Sequence, residues 1–519
     1  MTNLIGGKTA RGMYDALVGD RSPYLERAYQ VAELTLPHLM PRDGYSGATL
    51  PTPYQSVGAR GVSSMAAKLL LALFPSNQSF LRMVPDSGAL EELGGGKVEA
   101  EVQESLAKIE RAVSSDIESQ ALRPTLGEVF KQLLISGNCL FYTKPGSSKA
   151  IRLNSYVVKR DPAGNEICIV IKESISQVML PDEMRAHIKE YHATNGGDPS
   201  QDNVDIYTAI ARESEDRFKV WQDICDMTVP GSEGFYNQDQ LPWLALRMEP
   251  VAGESYGYGY VVGMLGDLSS LEGLMKALVE ASAASARVVF LVSPTSTTRP
   301  DQLNRAPNGS FVTGMEGDIV ALKVDKGADM AVALQAIERL QTSLGFSFML
   351  SQSVQRAGER VTAEEIRFLA QELEDVLAGT YSMLAQELQL PLAKLTMARL
   401  EKERKIPPVK GVASPTIITG LEALGRGHDL LKLDAFVRGA METFGPEITA
   451  KWVVVGEYFT RRATALALEK DGLIRSEQEV AEADQAAAQA QTMQSMAPEA
   501  LKQIGGIAQS AQAAKPQTK

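Results

Sequence analysis

The sequence predicts an α+β protein, mainly α, organised around one long helical hairpin. Three observations carry this expectation. Up to Ser136 the apolar residues recur at helical spacing, from Gly137 to about residue 250 the period changes to two, and beyond Asp267 two helices of similar length flank a short β-rich insert. A chain of 519 residues with 44% apolar and 22% charged residues is long enough for several domains and a sizeable core.

The elements follow in order. Residues 8–41 read as helical, with Tyr24, Ala28, Val31 and Leu34 on one side until Pro37 and Pro41 end the pattern. A second helix runs from about Gly58 to Leu73 and stops at Phe74-Pro75. The glycine-rich linker DSGALEELGGGK (86–97) leads to a long polar helix over Val98–Leu122, which Arg123-Pro124 breaks before another over Thr125–Ser136. CLFYTK, IRLNSYVVKRD, EICIVIKESI, VDIYTAIARES, RFKVWQDI and WLALRMEP then read as strands, separated by turns such as Asp161-Pro162-Ala163-Gly164.

In the second half, Asp267–Val289 is a helix with acidic residues in its first turns, and Glu272, Lys276 and Glu280 fall on one face. After it come a Pro/Thr/Ser/Asn-rich region over 293–318, strand candidates at Ser310–Thr313 and Asp318–Val324, and a matching helix over Ala328–Leu350. The two helices are expected to lie antiparallel with the insert at the tip. A further helix carries Ile366, Leu369, Leu373, Val376, Tyr381, Leu384 and Leu388 as its buried stripe and reaches Leu390, where Pro391 bends or ends it. Residues 412–444 and 446–470 read as mostly helical, and the tail beyond about Glu482 is Ala/Gln-biased.

The function classes narrow by exclusion. A net charge of −12 argues against a general nucleic-acid binder and does not exclude brief or sliding contact with DNA. Three scattered cysteines imply no disulfide framework, the N-terminus has no secretory apolar core, and the most apolar run, Val288–Val292, is too short to span a bilayer, so no membrane partner is expected. Gly6-Gly7-Lys8-Thr9 looks like the end of a phosphate-binding loop, but Thr2 stands where its first glycine belongs and no strand can precede it. GESYGYGYVVG (253–263) fits no dinucleotide-binding spacing and reads as a turn packing aromatic rings. His187 and His192 lie on different helical faces and have no Cys or Glu at zinc spacing, which leaves them as surface polar groups. No catalytic set can be assembled, and neither cofactor nor metal is expected.

One segment stands apart. SQSVQRAGERV (351–361) separates two helices and carries Gln352, Gln355, Arg356 and Arg360. The next helix starts with a capping box, in which Thr362 accepts the N–H of Glu365 and the Glu365 carboxylate reaches back. The segment is therefore a tethered, locally basic loop at the root of the hairpin. Two readings of its arginines stay open: contact with DNA phosphates, or pairing with Glu364, Glu365 or a neighbouring subunit.

Four stretches together resemble a known family: RSPYLERAYQVAELTLPHLMP (21–41), YQSVGARGVSSMAAKLLLALFP (54–75), SYGYGYVVGMLGDLSSLE (255–272) and ERVTAEEIRFLAQELEDVLAGTYSMLAQELQLPL (359–392). The chain is similar to the portal proteins, or head-to-tail connectors, of short-tailed T7-like bacteriophages over roughly residues 10–470. The resemblance implies a ring of twelve subunits at one capsid vertex, through which double-stranded DNA is packaged and ejected. It implies a wing (1–266), stem helices (267–290 and 328–350), a clip (291–327), a channel loop (351–361), a long wing helix (362–406), a helical crown (407–481) and a mobile tail (482–519). Glu272, Lys276 and Glu280 become candidates for a channel-facing stem surface. The implied partners are other copies of the chain, the DNA, a terminase motor, tail adaptors, capsid and scaffolding proteins and internal core proteins. The implied location is the virion, after assembly in the host cytoplasm. The alternative is another non-enzymatic virion assembly protein, such as an internal core or tail-adaptor component.

Overall fold

The computed structural model describes residues 9–42, 50–75, 80–85, 96–195, 202–285, 289–294, 299–311, 315, 317, 319–322, 327–350, 379–408, 413–417, 425–456, 458–459, 462 and 479–480. The chain divides into two units, Met1–Leu421 and Glu422–Lys519.

In the first unit, helix α1 (Ala10–Leu34) begins at Thr9, whose hydroxyl accepts the Gly12 N–H, and α2 (Val57–Leu73) follows. Strand β1 (Leu81–Pro85) precedes α3 (Gly96–Ser119) and α4 (Arg123–Ser136). Arg123-Pro124 does separate α3 from α4, but the proline occupies the first turn of α4, where its missing N–H costs no hydrogen bond.

The period-2 stretch forms β2 (Asn138–Tyr142), β3 (Lys149–Ile151), β4 (Tyr156–Arg160) and β5 (Glu166–Ser176). Helix α5 (Asp182–Asn195) intervenes before β6 (Asn203–Arg212), β7 (Arg217–Ile224), β8 (Met227–Thr228) and β9 (Gly234–Asn237). Strands β10 (Trp243–Arg247), β11 (Glu249–Pro250) and β12 (Gly257–Tyr258) complete this body. β4 to β8 pair in sequence order as an antiparallel sheet with β9 on β7, while β10, β2 and β3 form a second sheet.

The large sheet is covered on both faces, as its alternation requires. Ile169, Ile171, Ile210 and Val220 join the main core, with the C-terminal half of α1, α2, α3 and α4. Val157, Cys168, Val170, Ala209 and Trp221 point the other way, against Ala10, Met13, Tyr14 and Leu17 of α1. Helix α5 was not legible in the sequence: within DEMRAHIKEYHATN only Met184 and Ile188 are buried, one turn apart, against Val204, Ile206 and Ile224. Its histidines are partly buried rather than fully exposed, and His187 Nε2 lies 3.1 Å from the Cys225 carbonyl oxygen.

Next come α6 (Leu265–Ser285), β13 (Val289–Val292), the short α7 (Pro300–Arg305), β14 (Ile319–Leu322) and α8 (Gly327–Ser347). Val289, expected to end a helix, starts a strand instead, as befits a β-branched run. After the undescribed stretch, α9 (Gly379–Leu384) passes through a π-helical turn (Ala385–Gln389) into α10 (Leu390–Lys402). Pro391 therefore neither ends nor sharply stops the helix: the wider turn before it relieves the clash of its ring with the preceding carbonyls. Residues 413–417, read as the start of a helical region, form β15 (Ala413–Ile417), antiparallel to β1 with Leu81 opposite Ile417. The second unit contains α11 (Gly425–Phe444) and α12 (Pro446–Trp452).

Candidate functional site

Helices α6 and α8, each 21 residues long, pack on one another and lead into β13 and β14, which pair antiparallel with Val289 opposite Leu322 and Val292 opposite Ile319. The expected helix–insert–helix hairpin is therefore present. Its base is held in the main core by Leu268 and Leu271 of α6 and by Ile337, Leu344 and Phe348 from α8 and the turn after it. Other hairpin positions leave apolar side chains in solvent, including Val279, Val332 and Leu334.

Of the three expected stem residues, Lys276 and Glu280 are exposed. Glu272 is engaged within the chain: its carboxylate oxygens accept the backbone N–H groups of Tyr54 at 2.8 Å and Gln55 at 3.2 Å. Gln55 in turn accepts the Gly58 N–H in the first turn of α2 at 2.9 Å. Gln352, Gln355, Arg356, Arg360 and the Thr362–Glu365 capping box lie outside the described residues.

The chain leading into that segment is firmly held. Helix α8 closes with Met349 in the left-handed conformation (φ 52°) and the Leu350 N–H returning to the Gly345 carbonyl at 2.8 Å. The Tyr260 hydroxyl donates to the Ser347 carbonyl at 2.9 Å, and the buried Lys68 ammonium donates to the Met349 carbonyl at 2.6 Å. A cation at a helix C-terminus also complements the helix dipole. Where the chain re-enters, Glu387 receives the Arg247 backbone N–H and guanidinium, while the Gln389 amide donates to the Leu73 carbonyl.

The GYGY segment packs aromatic rings as expected, with Tyr24 5.2 Å, centroid to centroid, from both Tyr256 and Tyr258, but it forms β12 and the start of a 3-10 helix (Tyr260–Met264) rather than a turn. Tyr24 donates to the Glu254 carboxylate, and burial together with that bond pushes its pKa up, so it remains a donor. Nearby, the buried Arg21 guanidinium donates to the Tyr14 hydroxyl and to the carbonyls of Leu153, Asn154 and Tyr156. Sequence reasoning missed Arg21, Lys68, Arg247, Glu387 and Gln389. Only Lys68 had a local signal, as a lone cation within the apolar run SSMAAKLLLAL.

These contacts describe an α+β body that carries a packed helical hairpin with a small strand pair between its helices. The sequence profile for the bacteriophage head to tail connecting proteins matches residues 7–474. The chain is 40% identical over 480 residues to the portal protein of Escherichia phage T7, covering 91% of this chain and 89% of that one. It is 40% identical over 486 residues to the portal protein of Enterobacteria phage T3, covering 92% and 90%. A looser backbone likeness is found to the neck of a native gene transfer agent particle, with a TM-score of 0.34 and 12% identity over 80% of this chain and 90% of that one. This chain belongs to the bacteriophage head-to-tail connecting protein family, as the resemblance in its sequence implied.

Proposed function

We propose that copies of this chain, twelve by the resemblance, close into a ring at one capsid vertex and form the channel through which double-stranded DNA is packaged and later ejected. The helical hairpin with its small β-insert, in a chain of this family, is the observation that carries the reading. The hairpin is the stem and its insert the clip, which docks a terminase motor and afterwards the tail. A closed ring needs two different complementary surfaces on each subunit, and the exposed apolar positions Val279, Val332 and Leu334 on the hairpin suit that requirement. Lys276 and Glu280, exposed on α6, are proposed to face the channel; Glu272 takes part through its hold on residues 54–55.

Each copy contributes a formal charge of −12, which keeps phosphate affinity low along a path DNA must slide through. Gln352, Gln355, Arg356 and Arg360 then make the transient phosphate contacts, with Thr362 and Glu365 fixing the end of their loop. The chain has a structural rather than a catalytic role, and ATP hydrolysis belongs to the motor.

Electron microscopy of the purified full chain tests the assembly: rings with a central hole are expected, and a monomer or irregular aggregate would overturn it. Alanine at both Arg356 and Arg360 tests the loop. Rings should still form while the length of DNA retained in particles falls, and unchanged retention would assign those arginines to protein contacts instead.

A further inference from the structure

We infer that α2 is a positioning brace that joins the end of α8 to the π-helical turn, on either side of residues 351–378, through Gly61 against Phe348, Lys68 on the Met349 carbonyl and the Leu73 carbonyl on Gln389. The two flanks are far apart in sequence, yet each makes a buried contact with this one helix. At the first flank, an added Cβ on Gly61 would overlap the ring of the fully buried Phe348, so glycine is what lets α2 approach the end of α8. Seven residues along the same helix, Lys68 is only 4% exposed and spends its ammonium on the first left-handed residue after α8. At the second flank, Gln389 is 1% exposed and donates to the carbonyl of Leu73, the last residue of α2.

The other end of α2 is tied to the hairpin's first helix. Glu272 of α6 holds the N–H groups of Tyr54 and Gln55, and Gln55 caps α2. A Cβ on Gly58 would come within 2.7 Å of the Leu34 carbonyl and 3.3 Å of the Leu268 side chain. One 17-residue helix thus joins the first hairpin helix, the end of the second and the π-helical turn. Helical hydrogen bonding makes such a strut stiff along its length, so the two flanks keep a fixed separation.

The use of that fixed separation, to set where Arg356 and Arg360 can reach the DNA, rests on the proposed function. The brace itself does not. Hydrogen exchange of the assembled full chain, without DNA, tests it. Lys68→Met should accelerate exchange in the 344–350 amides by roughly tenfold or more, the effect of losing a hydrogen bond to a charged group. Gln389→Leu should do the same over 385–390. Gly58→Ala, which touches neither flank, should accelerate both regions together while β5 and β6 stay protected.

Acceleration spread evenly over all buried amides would mean ordinary destabilisation and overturn the brace. So would a Lys68→Met chain whose 344–350 amides are unchanged, or a Gly58→Ala chain in which only one flank responds. Should Gly58→Ala fail to fold, the other two variants still decide whether each flank is held by α2. DNA retention by Lys68→Met particles then reads the channel separately: local loosening with normal retention would keep the brace and reject its role at the DNA.

Discussion

Arg247 and Glu387 join the β-body to the π-helical turn through three hydrogen bonds to one carboxylate. The guanidinium donates to Oε1 from Nη2 at 2.6 Å and from Nε at 3.1 Å, and the Arg247 backbone N–H donates to Oε2 at 2.9 Å. Both side chains are mostly buried, at 10% and 16% exposed. Removing one partner strands the other charge, so Glu387→Ala and Arg247→Met should each cost about 3 kcal/mol. The double variant should cost clearly less than the sum, by about 1–3 kcal/mol. Urea unfolding midpoints followed by tryptophan fluorescence measure both, and simple additivity would show that the pair is not coupled.

Glu166, close to this pair, gives the fold a pH dependence. Burial raises its pKa above the ordinary carboxylate range, Arg160 opposes that shift and Glu387 adds to it. The folded chain therefore keeps a proton that the unfolded chain has already released. The associated stability is fully present below the unfolded carboxylate pKa and is lost as pH rises through the raised folded value. In Glu166→Gln that part of the slope should vanish. Denaturation midpoints collected from pH 4 to 8 are the check, and a variant with an unchanged slope sinks the assignment.

What the sequence made legible was set by local periodicity. The strand EICIVIKESI reads as a strand because Ile169 and Ile171 face one core and Cys168 and Val170 the other. The paired hairpin helices were legible because two helical stretches of similar length flank a Pro/Thr/Ser/Asn-rich insert. Helix α5 was not, because two buried residues make too little stripe, and β15 was not, because ASPTI gains its strand character only from β1 across the sheet. The candidate site divides the same way. The polarity of residues 351–361 can be seen in the sequence, whereas the contacts of Lys68, Arg247 and Gln389 join residues more than a hundred positions apart and leave no local trace.

The three cysteines should differ in reactivity. Burial lifts Cys139 well above the normal thiol range and pushes Cys168 up to about 12, while partly buried Cys225 is raised by burial and by Asp226. Only the thiolate reacts, so a water-soluble thiol reagent should label Cys225 slowly near neutral pH, faster as pH rises, and the other two only after unfolding. Mass spectrometry of labelled peptides gives the count; rapid native labelling of Cys139 or Cys168 would contradict the buried placement.

Finally, the GYGY segment that begins with β12 is fixed by Gly137 and Asn138, at the junction between α4 and β2. Gly137 closes α4 in the left-handed conformation (φ 74°), and an added Cβ would overlap the backbone of Tyr258. Next to it, the Asn138 amide imitates a strand pair: its Nδ2 donates to the Gly257 carbonyl at 2.7 Å and its Oδ1 accepts the Gly257 N–H at 2.8 Å. Asn138→Leu leaves a buried donor and acceptor of Gly257 unpaired, for an expected loss of about 2–4 kcal/mol. Asn138→Asp retains the acceptor alone and buries a charge, so it should not rescue. Gly137→Ala meets both left-handed strain and overlap, and should cost about 2–4 kcal/mol as well. Because both changes act on one segment, their combination should cost less than the sum of the two, again read from urea midpoints. A fully additive double variant, or an Asn138→Asp chain as stable as the parent, would show that the amide does not hold the segment.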